Sequence, residues 1–329
     1  MTADEADWFN TVADAIAAKC GTRPDPQDLY DAENGPPSDD ADALNRLIDL
    51  SVLSTLESGE PPMSILSKVT NKAPNLPSRV VLYAGEKWGK SSFAAFAPRP
   101  IFLMSAGETG LLSLIEAGKV PAVDHFPEDF RAWHALVDAV RALRDEPHEF
   151  QTLVLDTGNG AENLAAEFVC QEAFGGRWAD FNAYGRGMEL TTPLWASFLA
   201  TLDEVRVRRR MGVLILHHAR AKEFADPAGK TWHQWRPEAR DKLWSLTHKW
   251  ADAILFGGWS VAGNTDDKAT GEERSIRAGT SGAIVAGSRY GLPDVLRATA
   301  GAGNMWKSFA EAMRRAKSAS SNITTPTAA

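Results

Sequence analysis

The stretch with the clearest potential for chemistry begins as an apolar run and ends in glycine, lysine and serine. Val80–Tyr83 is a short apolar run, and after a turn Gly89, Lys90 and Ser91 open a predicted helix. In such a loop, backbone N–H groups bind phosphate oxygens, the lysine adds positive charge, and the serine hydroxyl can bind Mg²⁺. The order of strand, loop and helix is typical of a Walker A phosphate-binding loop. The residues predicted to surround a nucleotide's phosphates are Ala84, Gly85, Glu86, Lys87, Trp88, Gly89, Lys90, Ser91 and Ser92.

One position departs from the usual pattern G-x-x-x-x-G-K-[ST]. Ala84 stands where the first glycine is expected, and Gly85 follows it. Glycine is required at a turn position only where the backbone needs a positive φ. Alanine therefore fits if residue 84 keeps an ordinary negative φ.

The composition of the 329 residues, with 44% hydrophobic and 24% charged side chains, is ordinary for a globular protein. No apolar stretch is long enough to cross a bilayer, and the acidic N-terminal residues lack the basic and apolar regions of a signal peptide. The two cysteines, Cys20 and Cys170, have no metal-ligand spacing and make no disulfide framework. We therefore expect a cytoplasmic protein with no membrane partner.

Charge divides the chain into regions. Residues 1–60 carry 14 acidic and three basic side chains, whereas the remainder carries 29 acidic and 32 basic ones. We predict a small acidic extension over residues 1–60, helical or disordered, which is a candidate surface for a protein partner. The expected core covers residues 61–300, and residues 301–329 are expected to form a basic amphipathic helix and a flexible tail.

Beyond the loop, short apolar runs alternate with helical periods, which predicts an α/β fold: a mainly parallel sheet with helices on both faces. The predicted strands are Val80–Tyr83, Ile101–Met104, Thr152–Leu155, Gly212–Leu216, Ala253–Phe256 and Ala283–Ala286, and Met63–Val69 is a candidate for an earlier one. Helices are predicted around Trp133–Val140, at about Pro193–Arg210 and over Asn304–Lys317.

Polar side chains follow three of the predicted strands. Glu108 lies in a turn after the second strand, Asp156 directly follows the third, and His217 and His218 follow the fourth. Ligands of an open parallel sheet bind beyond the carboxyl ends of its strands. These side chains are therefore expected to meet the lysine and serine of the loop.

The chemistry of each residue suggests a role. Asp156 is expected to hold Mg²⁺ opposite Ser91, although an aspartate here could instead cap the next helix. Glu108 would orient or deprotonate an attacking water, or else be a solvated carboxylate of its turn. Because adjacent strand residues point to opposite sides, only one histidine of the pair can face a nucleotide, and we predict His218.

Arg289 follows the last predicted strand. An arginine there could reach the γ-phosphate of a nucleotide bound to a neighbouring subunit. The alternative is a surface arginine in a turn, and the sequence leaves both open.

Two segments combine aromatic and basic side chains: Gly175–Gly187, between glycines, and Ala219–Lys249, which is predicted to be a long loop region. In proteins that bind single strands without sequence preference, aromatic rings stack on bases while lysine and arginine contact phosphates. The alternative is that the aromatic rings pack beneath their own loops. The candidate nucleic-acid-binding residues are Arg177, Trp178, Tyr184, Arg186, Arg220, Lys222, Trp232 and Trp235.

In their order and spacing these motifs resemble those of phage-encoded RecA-like P-loop ATPases of the AAA-type nucleotide-binding family, a group that includes single-strand annealing recombinases. The resemblance covers roughly residues 63–297. It is carried by Tyr83–Ser92, the Glu108 turn, Thr152–Thr157, Leu214–His218, Phe224–Gly229, Trp250–Phe256 and Ser288–Pro293. Residues 1–60 have no counterpart in it.

The resemblance implies a RecA-like core that binds ATP and Mg²⁺. The residues implied to bind them are Gly89, Lys90, Ser91 and Asp156. It also implies Glu108 near the attacking water, a strand-end sensor at His218, and DNA-facing loops at Gly175–Gly187 and after the sensor. It further suggests a ring or filament in which Arg289 acts in trans, and a phage-encoded chain would work in the host cytoplasm.

We therefore predict an ATPase that couples hydrolysis to single-stranded DNA binding, annealing or strand exchange in phage-type recombination and replication. A replicative helicase or loader accessory would share every residue of the nucleotide site and differ in directional unwinding. A nucleotide-gated binding module would bind nucleotide with weak hydrolysis and use residues 1–60 to recruit a protein.

Overall fold

The computed structural model describes residues 69–71, 74–226, 229–261, 272–298 and 305–321. The chain divides into Met1–Pro74 and Asn75–Ala329, and every helix and strand given below belongs to the second unit. The predicted acidic extension, the flexible tail and nearly all of the candidate strand Met63–Val69 lie outside the described residues. The predicted boundary near residue 60 therefore stays a prediction.

The first half of this unit alternates strands with helices. Its elements are β1 (Arg79–Ala84), α1 (Lys90–Ala95), β2 (Pro100–Met104), α2 (Gly110–Glu116), β3 (Asp124–His125), α3 (Trp133–Asp145), β4 (Thr152–Asp156), α4 (Gly158–Phe174), α5 (Trp178–Asn182) and α6 (Arg186–Arg208). The second half is mainly strands. Its elements are β5 (Gly212–Ala225), β6 (Thr231–Pro237), α7 (Asp241–Trp250), β7 (Ala253–Val261), β8 (Glu272–Arg277), β9 (Gly287–Ser288), β10 (Val295–Arg297) and α8 (Trp306–Ser321).

These strands form one sheet in the order β10-β8-β7-β1-β5-β4-β2-β3. The pairs from β7 through to β3 are parallel, whereas β8 and β10 continue the sheet antiparallel beyond β7. The strand β5 lies between β1, which leads into the phosphate-binding loop, and β4, which ends in Asp156. The carboxyl ends of β1 and β4 therefore lie on either side of Leu216 and His218 in β5, which brings the predicted site together.

Core residues pack against both faces of the sheet, and β1 is therefore buried on both sides. Val81 and Tyr83 pack into a cluster with the helices α3, α4, α6 and α7. Val80, Leu82 and Ala84 pack into the opposite cluster, with α1 and α8. The structure thus confirms the predicted α/β fold with a mostly parallel sheet between helices. None of the described helices is both long and apolar enough to span a bilayer.

The prediction of a long loop region over Ala219–Lys249 is wrong. The strand β5 continues past its predicted end at Leu216 to Ala225 and pairs antiparallel with β6, and α7 follows. Exposed and half-buried residues alternate along β6, so it lacks the run of apolar residues that marks a buried strand. His217 and His218 consequently lie within a strand and not after its end.

Three other predicted segments differ from the structure. Ala283–Ala286 is not a strand, since Ile284 makes only isolated bridges and the short strand β9 begins at Gly287. Gly175–Gly187 is not a continuous loop, because it contains α5 and a 3-10 turn at Ala183–Gly185. The helix predicted from Pro193 begins earlier, at Arg186, and so contains the proline. The predicted C-terminal helix is present as α8.

Candidate active site

The phosphate-binding loop leaves β1 at Ala84, which pairs with His218 of β5 and Gly257 of β7. Ala84 is the last residue of this extended strand and is not among the described residues with positive φ. The condition under which alanine fits is therefore met. The positive φ angles fall later in the loop, at Lys87 (58°) and Gly89 (106°).

Trp88, inside the loop, is held against β7. Its side chain is buried, and the indole N–H donates to the carbonyl oxygen of Gly258 at 2.9 Å. A Cβ on Gly257 would lie 2.6 Å from the indole ring and 2.9 Å from the Cβ of Ala84. Glycine at position 257 therefore permits the contact that shapes the loop.

Lys90 is buried beneath the loop, with three acceptors around its ammonium group. These are the carbonyl oxygens of Ala84 (3.2 Å) and Gly85 (3.3 Å) and the Nδ1 atom of His218 (3.3 Å). An ammonium group has three donors and no acceptor, so Nδ1 accepts and Nε2 carries the imidazole proton. Burial lowers the pKa of Lys90, and the nearby carboxylates of Asp156 and Glu108 oppose that shift.

Glu108, in the turn between β2 and α2, is the partner of that imidazole proton. Its Oε1 accepts from His218 Nε2 at 3.0 Å and from Thr157 Oγ1 at 3.3 Å. The hydrogen bond from His218 lowers the pKa of Glu108, while burial acts in the opposite direction. The side chains of His218 and Glu108 are 27% and 28% exposed, so an ionised carboxylate faces the solvent-accessible side of the site.

Ser91 and Asp156 form the second cluster at this edge. The serine hydroxyl donates to Asp156 Oδ2 at 2.7 Å. Burial raises the pKa of Asp156 to about 6, and the hydrogen bond from Ser91 opposes that shift. A hydroxyl and a carboxylate side by side are the oxygen ligands that Mg²⁺ prefers, so these two residues fit that ion. Helix α4 is capped instead by Thr157, whose hydroxyl oxygen accepts from the N–H of Gly160 at 3.3 Å.

His217 points to the other side of the sheet, as strand geometry predicts. It is fully buried, and its ring lies 6.1 Å from that of Trp244 on α7. Burial lowers the pKa of His217 to about 4, so the imidazole is neutral near pH 7. His217 therefore belongs to the core, and His218 is the histidine brought to Lys90.

Arg289 does not join this cluster. It follows β9, which pairs with the amino end of β7, and its guanidinium donates to Asp252 Oδ1 (3.2 Å) and to the carbonyl oxygen of Lys249 (2.6 Å). Lys90 and Ser91 lie at the carboxyl edge of the sheet, so Arg289 is at the opposite edge within one chain. A role in trans stays a prediction.

The basic residues proposed to contact nucleic acid mostly have partners within the chain. Arg177 pairs with Asp180 at 2.5 Å, and Lys222 pairs with Asp241 at 2.7 Å. The guanidinium of Arg220 donates to the carbonyl oxygen of Ala239 at 2.9 Å. The guanidinium of Arg186 lies 5.8 Å from the ring centroid of Phe174. Each of these basic side chains therefore has at least one partner within the chain.

Of the aromatic candidates, Tyr184 is the most exposed, at 99% of its surface. Trp178 is 41% exposed and its ring lies 5.0 Å from that of Phe181. Trp235 is 43% exposed and stacks on Phe256 at 5.9 Å. The indole of Trp232 donates to the carbonyl oxygen of Gly282 at 2.5 Å. Local packing thus accounts for part of each tryptophan surface and for none of the Tyr184 ring.

Sequence reasoning missed two residues that border the site. Thr157 holds Glu108, and its position next to Asp156 could have indicated it. Arg274 on β8 approaches the loop, because a Cβ on Gly89 would lie 3.4 Å from its Nη1. No local pattern marks Arg274, since only the sheet order brings β8 close to the loop.

Comparison with known protein families agrees with this geometry. Residues 76–290 match the family AAA_24, described as an AAA domain. No curated protein gives a significant match to the chain. AAA-type P-loop ATPases generally bind a nucleotide with Mg²⁺ and hydrolyse it. Because the match spans well over half of the sequence and includes the phosphate-binding loop, Glu108 and Asp156, the chain belongs to the AAA domain family of AAA-type P-loop ATPases.

Proposed function

We propose that this protein binds ATP with Mg²⁺ and hydrolyses it at the carboxyl edge of β1, β5 and β4. The observation that carries the proposal is the hydrogen-bonded chain from Lys90 through His218 to Glu108. It stands beside the 2.7 Å pair of Ser91 and Asp156. One edge thus carries a phosphate-binding cation, oxygen ligands for a metal ion and an ionised carboxylate. These are the parts that phosphoryl transfer to water requires.

Each residue of the site has a separate role in the proposed reaction. Lys90 and the N–H groups of the loop offset negative charge on the phosphate oxygens. Ser91 and Asp156 would hold Mg²⁺, which supplies further charge neutralisation when bound. Glu108 accepts a hydrogen bond from the attacking water and aligns it with the terminal phosphorus. As the new P–O bond forms, the bond to the ADP oxygen breaks and the water proton passes towards the carboxylate.

His218 is the proposed sensor of the terminal phosphate. All three donors of the Lys90 ammonium group already have acceptors in this structure. A phosphate oxygen that accepts from Lys90 therefore competes with His218 Nδ1. The imidazole would then depend on Glu108 alone, so its position would report whether the phosphate is present.

We further propose that hydrolysis is coupled to single-stranded DNA, in binding, annealing or strand exchange of the kind used in phage recombination and replication. The supporting observation is that β5 carries His218 and continues without a break into the β5–β6 hairpin. Phe224 and Trp235 on this hairpin are 38% and 43% exposed. A change at His218 would thus be transmitted along one strand to exposed aromatic rings that can stack on bases.

Assembly and a protein partner are separate proposals. We infer a ring or filament in which Arg289, with 55% of its side chain exposed, reaches a neighbouring subunit's nucleotide. The acidic residues 1–60 would recruit a protein of complementary charge. A replicative helicase or loader accessory ATPase is the alternative function, and it predicts directional unwinding.

Steady-state ATP hydrolysis tests the central proposal, measured with and without single-stranded DNA for wild type and Lys90→Ala. We expect turnover that DNA stimulates and that Lys90→Ala abolishes. Turnover that depends on Lys90 and is indifferent to DNA would refute the coupling and favour a protein partner. ATP binding without turnover would favour the nucleotide-gated module. Neither binding nor turnover would refute the assignment of the loop.

A further inference from the structure

Trp259 and Arg274 form an exposed pair beside the phosphate-binding loop. They stand directly opposite each other in the antiparallel ladder of β7 and β8. The guanidinium carbon of Arg274 lies 5.3 Å from the centroid of the Trp259 ring, and the indole is 47% exposed. The exposed part of such an indole can stack on a flat ligand.

The pair adjoins the loop itself. A Cβ on Gly89 would lie 3.4 Å from Nη1 of Arg274 and 3.8 Å from the Cβ of Ser92. The indole N–H of the loop residue Trp88 donates a hydrogen bond to the carbonyl oxygen of Gly258, the residue before Trp259. The indole and the guanidinium are therefore held at the β7 side of the loop by the same contacts that shape it.

The other side of the loop faces the catalytic groups. Glu108 lies in the turn after β2, Asp156 is the last residue of β4, and the sheet order is β8-β7-β1-β5-β4-β2. A terminal phosphate placed at Glu108 leaves the phosphate chain running along the loop towards β7. The sugar and base then leave the loop on the side where Trp259 and Arg274 stand.

Charge supports the same orientation. Within the part of the chain that the structure describes, no carboxylate pairs with Arg274, whereas its neighbour Glu273 pairs with Arg297 at 3.6 Å. A guanidinium that lies over an indole can still donate to a phosphate oxygen, because its N–H groups point outward in the plane of the group.

We propose that Trp259 and Arg274 hold the nucleoside end of the bound nucleotide, with the indole stacking on a purine base and the guanidinium contacting the phosphate nearest the sugar. A purine is favoured over a pyrimidine because its two fused rings cover more of the indole face. The inference rests on the proposed nucleotide site and assigns the residues that select the base.

Isothermal titration calorimetry with two probes separates the parts of this site. The first probe is MgADP, which has a base and phosphates, and the second is Mg-tripolyphosphate, which has phosphates alone. The variants are Trp259→Ala, Trp259→Phe and Arg274→Ala. Arg277→Ala serves as the matched control, since Arg277 lies on the same strand but on its opposite face.

We expect Trp259→Ala to weaken MgADP binding about tenfold, the size typical of one base-stacking contact, and to leave tripolyphosphate binding unchanged. Trp259→Phe should keep most of the affinity for MgADP, and wild type should prefer ADP to CDP. Arg274→Ala should weaken MgADP binding several-fold, and Arg277→Ala should leave it as in wild type.

Wild-type affinity for MgADP in Trp259→Ala would overturn the inference. An equal loss of affinity for both probes in Trp259→Ala would also overturn it, because that pattern means damage to the loop. Lys90→Ala distinguishes this inference from the proposed nucleotide site, since the variant should lose affinity for both MgADP and Mg-tripolyphosphate. If Lys90→Ala bound both normally, the proposed nucleotide site would be wrong, whatever Trp259 does.

Discussion

The Nδ1 atom of His218 lies 3.3 Å from the Nζ atom of Lys90, although 128 residues separate them in the chain. The other ring nitrogen of His218 lies 3.0 Å from Glu108. One imidazole therefore joins the cation that would bind phosphate to the carboxylate that would align water. Because the lysine must donate at Nδ1, the imidazole is the neutral tautomer with its proton on Nε2.

Replacing His218 with alanine should lower kcat for ATP hydrolysis about tenfold to a hundredfold, because Glu108 loses the donor that positions it. MgADP affinity should stay within about threefold, since the proposed phosphate contacts of Lys90 remain. The measurement is steady-state hydrolysis together with MgADP titration. His218→Gln, which can donate to Glu108, should recover part of the rate. An unchanged kcat in His218→Ala would contradict this role.

Replacing Asp156 with asparagine should raise the Mg²⁺ concentration needed for half-maximal nucleotide binding about tenfold or more, because a charged oxygen ligand is lost. EDTA should weaken nucleotide binding by wild type and have little further effect on the variant. Titration of Mg²⁺ at constant ADP checks this prediction. Ser91→Ala should give a smaller shift in the same direction. A wild-type Mg²⁺ dependence in both variants would place the metal ion elsewhere.

Gly257→Ala should lower the free energy of unfolding by about 1–3 kcal/mol and weaken MgADP binding, because the new Cβ would lie 2.6 Å from the Trp88 ring. Urea denaturation gives the stability, and the double variant Gly257→Ala/Trp88→Leu tests the cause. The smaller leucine should make the two effects less than additive. Gly110→Ala, where a Cβ meets no atom within 4 Å, is the control. Strict additivity would exclude the steric explanation.

Buried His217 should make the protein less stable as the pH falls. Burial lowers the pKa of His217 to about 4, so between about pH 4 and 6.5 the unfolded chain binds a proton that the folded chain excludes. The free energy of unfolding therefore rises with pH across this window. Between pH 5 and pH 7 the contribution of His217 is about 2 kcal/mol.

Urea denaturation at pH 5 and pH 7 measures this contribution. His217→Leu, which does not titrate, should show a difference between the two pH values that is smaller than wild type by about 2 kcal/mol. His134→Ala is the matched control, because it replaces a histidine that is exposed on α3 and lies outside the core. An unaltered difference in His217→Leu would mean that folding does not lower the pKa of His217.

Much of the candidate site was predictable because its residues follow short, contiguous sequence patterns. The apolar run before Gly89, Lys90 and Ser91 and the apolar run ending in Asp156 mark buried strands and the polar residues that follow them. Strand alternation also predicted that His217 and His218 point apart. In each case the informative residues are neighbours in the chain, so local backbone geometry decides where they point.

The fold was predictable to the same extent. Alternating strand and helix patterns gave the parallel sheet and both helix layers. The polar hairpin strand β6 and the two-residue strand β9 carry no such pattern, and the loop predicted in place of β6 was wrong. Their conformation depends on pairing with β5 and β7 and not on their own side chains.

The sequence by itself determined the strand, turn and helix typical of a phosphate-binding loop, the carboxylates that follow the strands and the class of fold. Only the tertiary structure decided that His218 joins Lys90 to Glu108 and that Arg274 lies over the Trp259 ring beside Gly89. The physical reason is that strand order depends on burial of the whole sheet between its helix layers. That order brings together residues from distant parts of the chain, which no local spacing records.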